Sequence, residues 1–417
     1  MYESIKKYAK PFHSISDLNP LIDAIGDAKY VLLGESSHGT SEFYTLRAEI
    51  TKILIQEKGF SFVAVEGDWP ACQSVNRYIK GIQSSKRDIR EVLESFNRWP
   101  TWMWANEEII ALMEWLKDYN LKHSQNQKVG FYGLDVYSLW ESMDEIIQYL
   151  EKTNSPSLHV AKKAFSCFEP FNRNHESYAV SAGYLSEDCM KESIHLLESI
   201  RKNKWILDNQ DEKSLNLEVN ALVAAHAEEY YRTMVNSDAG SWNVRDQHMV
   251  EALNSIMKFY GEKAKVIIWE HNTHVGDARA TDMKEDGMVN VGQLLREQNK
   301  PEDIFIIGFG TNSGTVISAT EWGKDFEITE VPSGQYGSWE YLMHHSGAFN
   351  KYLIFNPTNQ NEFSTTIGHR AIGVVYRPEY EHFGNYVPSN MGLRYDGFIF
   401  IDQTTALHPL VLKHILL

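Results

Sequence analysis

The chain has 417 residues, of which 43% are hydrophobic and 23% are charged, close to the averages for globular proteins. This length exceeds one ordinary domain of roughly 100–200 residues, and it also fits one large α/β unit that carries an insertion. The formal charge is −16, from 40 basic and 56 acidic residues, and no block rich in Lys or Arg occurs. This balance argues against nucleic acid as a partner.

The three cysteines, Cys72, Cys167 and Cys189, are too few and too scattered for a disulfide framework or a thiolate zinc site. We therefore expect reduced cysteines and a cytoplasmic protein. The N-terminal segment lacks the apolar core of a signal peptide, and no apolar run approaches about 18 residues. A membrane partner is not expected.

The first strand predicted in the sheet covers residues 30–33 and runs into a polar turn. Gly34 ends the apolar run, and Glu35 and His38 follow in the turn. Apolar residues then recur at helical spacing over 40–58, and Gly59 is a plausible C-cap. This is the pattern of a strand, a sharp turn and a helix start.

The next two predicted strands also end in acidic residues. FSFVAVEGDWP ends in Glu66 and Asp68, and KVGFYGLDVYS ends in Asp135. The segment between them, 71–125, is predicted to be helical, with an aromatic turn RWPTWMW. An acid therefore follows each strand, as at Glu35.

Amphipathic helical spacing dominates from about residue 140 to 260. We therefore predict a discontinuous α/β catalytic core, residues 1–140 plus 262–417, interrupted by a helical insertion or subdomain at 141–261. Strand signals resume in AKVIIWEHNTH, where His271 and His274 follow the apolar run. Further strands are predicted at 303–312, at 315–322 and in KYLIF, AIGVVYRP and YDGFIFID.

Alternation of near-continuous apolar strands with helices predicts an α/β fold, a three-layer, largely parallel sheet flanked by helices. Ligands of open α/β sheets bind outside the carboxyl ends of the strands. The polar residues that follow the strands should therefore meet at one edge. They are Glu35, His38, Glu66, Asp68, Asp135, His271 and His274.

Two chemistries fit these residues. His38, Glu66, His271 and His274 could bind a divalent metal. They could equally form a metal-free site in which a histidine deprotonates water and carboxylates orient it. Glu35-x-x-His38 is not the helical zinc motif, because it has no second histidine at the required spacing.

Several other assignments are weaker. The segment Gly34–His38 matches the nucleophile elbow G-x-S-x-G except for its last residue, so a serine nucleophile is disfavoured. No nucleotide-binding motif occurs. Arg47 lies about two helical turns beyond the loop, facing either the carboxylates or solvent. For Arg245 we favour ion pairing within the insertion, and for His226 a place in the core.

Together the motifs resemble the erythromycin esterase family. The matching segments are LLGESSHGTSEFYTLR, VAVEGDWP, FYGLDVYSLWESM, NVRDQHM, VIIWEHNTHVGDAR, VGQLLRE, IGFGTNSGTVISATEWG and IGVVYRPEYE. The resemblance implies that His38 is the general base acting on water and Glu35 its acidic partner. It also implies that Arg47, Glu66, His271 and His274 line the cleft. The activity it implies is hydrolysis of esters, including the macrolactone of macrolide antibiotics, and hence antibiotic resistance.

Three functions are therefore consistent with the sequence. The leading one is an ester hydrolase without a cofactor, acting on a small-molecule ester. The second is a metal-dependent hydrolase with His38, Glu66, His271 and His274 as ligands. The third is a non-catalytic protein that binds an amphipathic small molecule, consistent with the 11 Trp and 21 Tyr.

Overall fold

A computed structural model describes residues 1–82, 88–203 and 211–410. These residues form a nine-stranded sheet and a separate two-stranded sheet. The strands, in chain order, are β1 (Lys10–Pro11), β2 (Tyr30–Leu33), β3 (Phe62–Asp68), β4 (Gly130–Asp135), β5 (Val266–Trp269), β6 (Ile304–Ser318), β7 (Glu327–Val331), β8 (Lys351–Ile354), β9 (Thr366–Arg370), β10 (Tyr386–Asn390) and β11 (Gly397–Thr404).

Seventeen α-helices surround the sheet in the described ranges. They are α1 (Tyr2–Tyr8), α2 (Asn19–Ala24), α3 (Ser41–Lys58), α4 (Trp69–Ile79), α5 (Ile89–Leu93), α6 (Glu107–Leu121), α7 (Leu139–Lys152), α8 (Leu158–Phe168), α9 (His175–Leu185), α10 (Met190–Asn203), α11 (Glu212–Met234), α12 (Asp238–Tyr260), α13 (Asn272–Val275), α14 (Val291–Gln298), α15 (Trp339–His345), α16 (Glu381–Gly384) and α17 (Met391–Arg394).

The large sheet has the order β1-β8-β11-β6-β2-β5-β3-β4, and β7 pairs with β6. The six strands from β11 to β4 are parallel, whereas β1, β7 and β8 pair antiparallel with their neighbours. The predicted α/β fold with a largely parallel sheet is therefore confirmed. Strand β5 lies between β2 and β3, although it follows both in sequence. The carboxyl end of β5 therefore lies between the carboxyl ends of β2 and β3.

Side chains of the parallel strands alternate between two hydrophobic cores. In β2, Leu32 belongs to the core shared with α7, α11 and α12, whereas Val31 and Leu33 belong to the core shared with α3 and α6. Both faces of the sheet are thus covered by helices, which explains why the strands read as continuous apolar runs. The sheet and the helices on its two faces therefore form three layers.

The structure departs from three sequence predictions. Residues 303–312 and 315–322 are not two strands, because one strand, β6, continues through Gly314, and its last residues pair with β7. The segment AIGVVYRP forms only isolated bridges, at Ile372 and Val375. The neighbouring strand is β9, whose partner β10 had no clear apolar signal.

Helices α7 to α12 occupy most of residues 139–260, apart from 204–210, which lie outside the described residues. The division of these helices from the core as a separate unit stays a prediction.

Within this helical segment, Cys167 and Cys189 form a disulfide, 22 residues apart in sequence, with Cα atoms 5.9 Å apart. Reduced cysteines were expected at both positions, and helix packing brings them together instead. In the described ranges, no helix is both long and apolar enough to span a membrane.

Candidate active site

The loop after β2 brings Glu35 and His38 into direct contact. Nδ1 of His38 lies 2.9 Å from Oε1 of Glu35, and both side chains are buried. The loop packs tightly against its neighbours: a Cβ on Gly34 would come within 2.1 Å of Oδ1 of Asn272. Because Glu35 accepts a hydrogen bond, Nδ1 of His38 carries the proton and Nε2 carries the lone pair.

Arg47 on α3 holds the second oxygen of Glu35. Its Nη2 forms a short ion pair with Oε2 of Glu35, and its Nε donates to the backbone oxygen of Phe43 at 3.3 Å. The guanidinium packs against the rings of Tyr44 and Trp269 and is fully buried. Its Nη1 is buried and has no hydrogen-bond partner among the described residues. Arg47 therefore faces the carboxylate rather than solvent.

Glu66, at the end of β3, is held from two sides. Its Oε2 accepts the backbone N–H of His271 at 2.9 Å, and its Oε1 accepts Nη2 of Arg245 at 2.7 Å. Burial alone would raise the pKa of this carboxyl. The electrostatic effects of His274, Arg245 and His38 outweigh burial and hold its pKa well below the usual value. Glu66 is therefore ionised at neutral pH.

Arg245, which comes from α12, joins two strand ends. Besides Glu66, it binds Asp135 through Nε at 2.9 Å and through Nη2 at 2.7 Å. Its Nη1 lies 3.0 Å from Nε2 of His274. The expectation that Arg245 pairs within the insertion is therefore wrong. No local sequence pattern indicated these ion pairs, because the partners Asp135 and Glu66 lie 110 and 179 residues away in sequence.

His274 is held on all sides. Its Nδ1 lies 3.0 Å from both carboxylate oxygens of Asp246, its Nε2 faces Arg245, and its ring stacks on Trp242 with centroids 4.5 Å apart. With both nitrogens engaged, His274 has no free atom for a substrate. It supports Arg245 and Glu66.

His271 lies beside His38, with ring centroids 4.9 Å apart. Its Nδ1 accepts from the Thr273 hydroxyl at 2.8 Å and from the Thr273 backbone N–H at 3.3 Å, so the proton resides on Nε2. Burial and the nearby charge of His38 lower its pKa well below the usual value, although the Ser36 backbone opposes this. Nε2 is buried and lacks a partner in hydrogen-bonding geometry among the described residues. It is an N–H donor beside His38, with the Ser36 backbone as an acceptor nearby.

The charges around His38 set its basicity. Burial favours the neutral ring, but Glu66 and Glu35 favour the imidazolium more strongly, and the pKa of His38 is raised in spite of an opposing effect of Arg245. Its Nε2 makes no hydrogen bond within the described ranges. His38 thus combines raised basicity with a free lone pair, as a general base requires.

Two further acidic residues lie near this cluster. Asp68 binds Nε of Arg98 at 2.8 Å. Glu270 follows Trp269, the last paired residue of β5, just as Glu66 follows Val65 on β3. Burial and the neighbouring Glu66 raise the pKa of Glu270 well above the usual value. Sequence reasoning missed Glu270, because it was read as part of an apolar strand.

The predicted metal ligands do not form a metal site. No group of three His, Cys, Asp or Glu side chains in the described part of the chain has metal-binding geometry. Arg245 already binds these side chains: its Nη2 donates to Oε1 of Glu66, and its Nη1 faces Nε2 of His274, which lies 3.5 Å from the same Glu66 oxygen. A metal cation bound to these two atoms would be repelled by the guanidinium.

A cavity of about 460 Å³ lies at the opposite edge of the sheet, near Ile304, where β6 begins. Its charged residues are already paired: Arg296 binds Asp277 and Asp396, and Arg279 binds Asp277. We therefore place the candidate active site at the carboxyl ends of the strands.

The fold and the site together define an α/β protein with a buried carboxylate–imidazole pair at the carboxyl edge of a parallel sheet. The family model for erythromycin esterase matches residues 55–404. The chain therefore belongs to the erythromycin esterase family.

Individual relatives are distant but cover most of the chain. Erythromycin esterase type II of Escherichia coli is 24% identical over 84% of this chain and 86% of its own. The putative hydrolase YbfO of Bacillus subtilis (strain 168) is 22% identical over 96% of this chain and 90% of its own. A mutant of the erythromycin esterase EreC, solved in its open conformation, superposes with a TM-score of 0.65 at 13% identity. That match covers 97% of each chain, and it shows a shared fold.

Proposed function

We propose that this protein hydrolyses carboxylic esters, with His38 as the general base that activates water. The observation that carries the proposal is the contact between Glu35 Oε1 and Nδ1 of His38, which leaves Nε2 of His38 free. Membership in the erythromycin esterase family supports a hydrolase. The name of the Escherichia coli relative makes a macrolactone the first cyclic ester to test.

The reaction begins with proton transfer. Nε2 of His38 takes a proton from water as the water oxygen attacks the ester carbonyl carbon. Glu35 stabilises the imidazolium that forms, and it keeps the ring in the tautomer that makes Nε2 the base. Glu66 adds a second negative charge nearby, which favours the same charged state.

The carbonyl oxygen becomes an oxyanion and needs hydrogen-bond donors. Two buried donors next to the Glu35–His38 pair make no hydrogen bond of standard geometry among the described residues: Nε2–H of His271, whose ring lies beside His38, and Nη1 of Arg47, whose guanidinium binds Glu35. Neutral His271 can donate through Nε2 because Thr273 occupies its Nδ1. One such donor contributes about 10²–10³-fold in rate. When the carbon–oxygen bond breaks, His38 returns its proton to the leaving alkoxide.

Arg245 and Asp246 act through other residues. Arg245 fixes Glu66, and Asp246 fixes His274 against Arg245. The helical segment that carries them is therefore part of the proposed catalytic unit. If 141–261 is a separate insertion, as the sequence predicts, it completes the site rather than only covering it.

The experiment is a panel of linear esters, lactones and macrolactones, incubated with the purified protein and analysed by mass spectrometry. We expect at least one compound to gain the mass of one water, with the ester bond opened. Recovery of every compound bound but unchanged would contradict hydrolysis and favour a small-molecule binding protein.

A further inference from the structure

Two tryptophans from distant segments contact each other at the surface. The ring centroids of Trp99 and Trp322 are 4.5 Å apart, and Nε1 of Trp99 donates to the backbone oxygen of Lys324 at 2.8 Å. Trp322 is 71% exposed, although large aromatic rings usually contribute to a core. Trp99 is half-buried, so the two rings together present one aromatic surface that is open to solvent mainly at Trp322.

The segment that carries Trp99 contacts the end of β3, where Glu66 lies. Its neighbour Arg98 binds Asp68 at the end of β3. A few residues later, Nε1 of Trp104 donates to the backbone oxygen of Glu66 at 3.0 Å. The loop from Arg98 to Trp104 therefore lies on the strand end that carries Glu66.

The segment that carries Trp322 follows β6, which contacts the His38 loop. In β6, the backbone N–H of Ile317 donates to the oxygen of Gly39 at 2.9 Å, immediately after His38. The chain then turns towards β7 through Trp322 and Lys324. Contacts between segments therefore run from the His38 loop to β6, from Trp322 to Trp99, and from the Trp99 segment to Glu66.

Polar groups between these segments are largely occupied. Glu35, Glu66 and His274 are bound to arginines or histidines, which leaves few polar atoms to hold a ligand. Ligand sites combine a few polar groups with a larger apolar surface. The exposed ring of Trp322 and the half-buried ring of Trp99 offer such a surface, on segments that contact the Glu66 strand end and the His38 loop.

We propose that Trp99 and Trp322 form an apolar subsite for a ring-shaped hydrophobic part of the ester substrate. This inference rests on the proposed esterase function and extends it to substrate choice. The hydrogen bond from Trp99 to Lys324 fixes the orientation of Trp99, so little entropy of that side chain is lost when a ring packs on it. Esters with a bulky apolar ring are therefore favoured over short esters.

The test compares two esters with the same leaving group, p-nitrophenyl acetate and p-nitrophenyl cyclohexanecarboxylate. Each is assayed with the wild-type protein, Trp322→Ala, Trp99→Ala and a control, Leu121→Ala. Leu121 is 67% exposed at the end of α6. For both tryptophan variants we expect kcat/KM for the ring ester to fall about tenfold, mainly through KM, from the loss of apolar contact. For the acetate we expect values within about twofold of wild type.

Equal losses for both esters would show that the tryptophans only hold two segments together, and unchanged values for both would remove the subsite altogether. If the wild-type protein cleaves neither ester, the proposed esterase function fails for these substrates, and the subsite is tested by binding. Calorimetry with cyclohexyl methyl ketone, which cannot be hydrolysed, should then give binding to wild type that Trp322→Ala loses. Equal binding by wild type and Trp322→Ala would overturn the inference.

Discussion

Glu35 and Glu66 both act on the charge of His38, and each is held by its own arginine, from helices on opposite faces of the central sheet. Glu35 lies on the α3 side, where Arg47 binds it, and Glu66 lies on the α12 side, where Arg245 binds it. The two carboxylates act on His38 in the same direction, since both raise its pKa. The site therefore depends on helices from both layers.

Replacement of His38 tests the general base. We expect His38→Gln to lower kcat on a cleaved ester by about 10²–10⁴-fold, because a positioned base contributes that much. Far-UV circular dichroism should be unchanged. The control is His408→Gln, a histidine whose ring is largely exposed and bonded to Glu108. A His38 variant that retains near wild-type rate, with its fold intact, would show that another group activates water.

The pH–rate profile tests the effect of Glu66. The pKa of His38 is raised above its usual value, so the free base is lost, and the rate falls, as pH drops through a midpoint above about 6.5. Glu66→Gln removes a negative charge that favours the imidazolium. The acidic limb of kcat/KM should therefore move to lower pH. Glu362→Gln, at a surface pair with Lys7, should leave it in place. An unmoved limb in Glu66→Gln would mean that another group sets it.

Removing Arg47 leaves Glu35 buried without its cation. We expect Arg47→Met to lower the free energy of unfolding by about 3–5 kcal/mol in urea titrations, as for other buried pairs broken on one side. Arg377→Met, at an exposed pair with Glu321, should cost less than about 1 kcal/mol.

The double variant Glu35→Gln/Arg47→Met separates the lost charge balance from lost packing. We expect it to recover much of the stability that Arg47→Met loses, because no uncompensated carboxylate remains. If the single and double variants are equally unstable, the ion pair is not the cause.

Replacement of His271 tests the proposed oxyanion donor. His271→Phe keeps an aromatic ring beside His38 but removes the N–H. We expect kcat to fall about 10²–10³-fold with little change in KM, since this donor acts only on the developing charge. A change confined to KM would assign His271 to substrate binding instead.

Metal removal tests the metal-dependent alternative. Because the Arg245 guanidinium already binds Glu66 and faces Nε2 of His274, we expect activity to survive dialysis against a chelator. Elemental analysis of the protein should show less than one bound transition metal per chain. Loss of activity that added zinc or manganese restores would revive the metal hypothesis.

Local patterns were enough to predict the parts of the site that follow strands. Glu35 and His38 come after an apolar run, and His271 and His274 follow another. Buried parallel strands have continuous apolar sequences, and polar residues after them must lie at one edge. The roles of these residues in catalysis stay predictions until the variants are measured.

Other features depend on contacts between distant segments. Arg245 reaches Asp135 and Glu66 across 110 and 179 residues, and its own helix gives no sign of this. Cys167 and Cys189 are brought together by helix packing, and Trp99 meets Trp322 through a loop and a turn. Side-chain pairing of this kind depends on tertiary position, which periodicity does not encode.

The sequence by itself determined that this protein has an α/β fold, with Glu35, His38, Glu66 and the two later histidines at strand ends, since strand periodicity is a local property. Only the tertiary structure decided which atoms of these residues are free. It left Nε2 of His38 without a hydrogen bond in the described residues, engaged both nitrogens of His274, and paired Arg245 with Glu66 and Asp135. Hydrogen-bond partners fix tautomer and charge, and those partners come from strands and helices far apart in the chain.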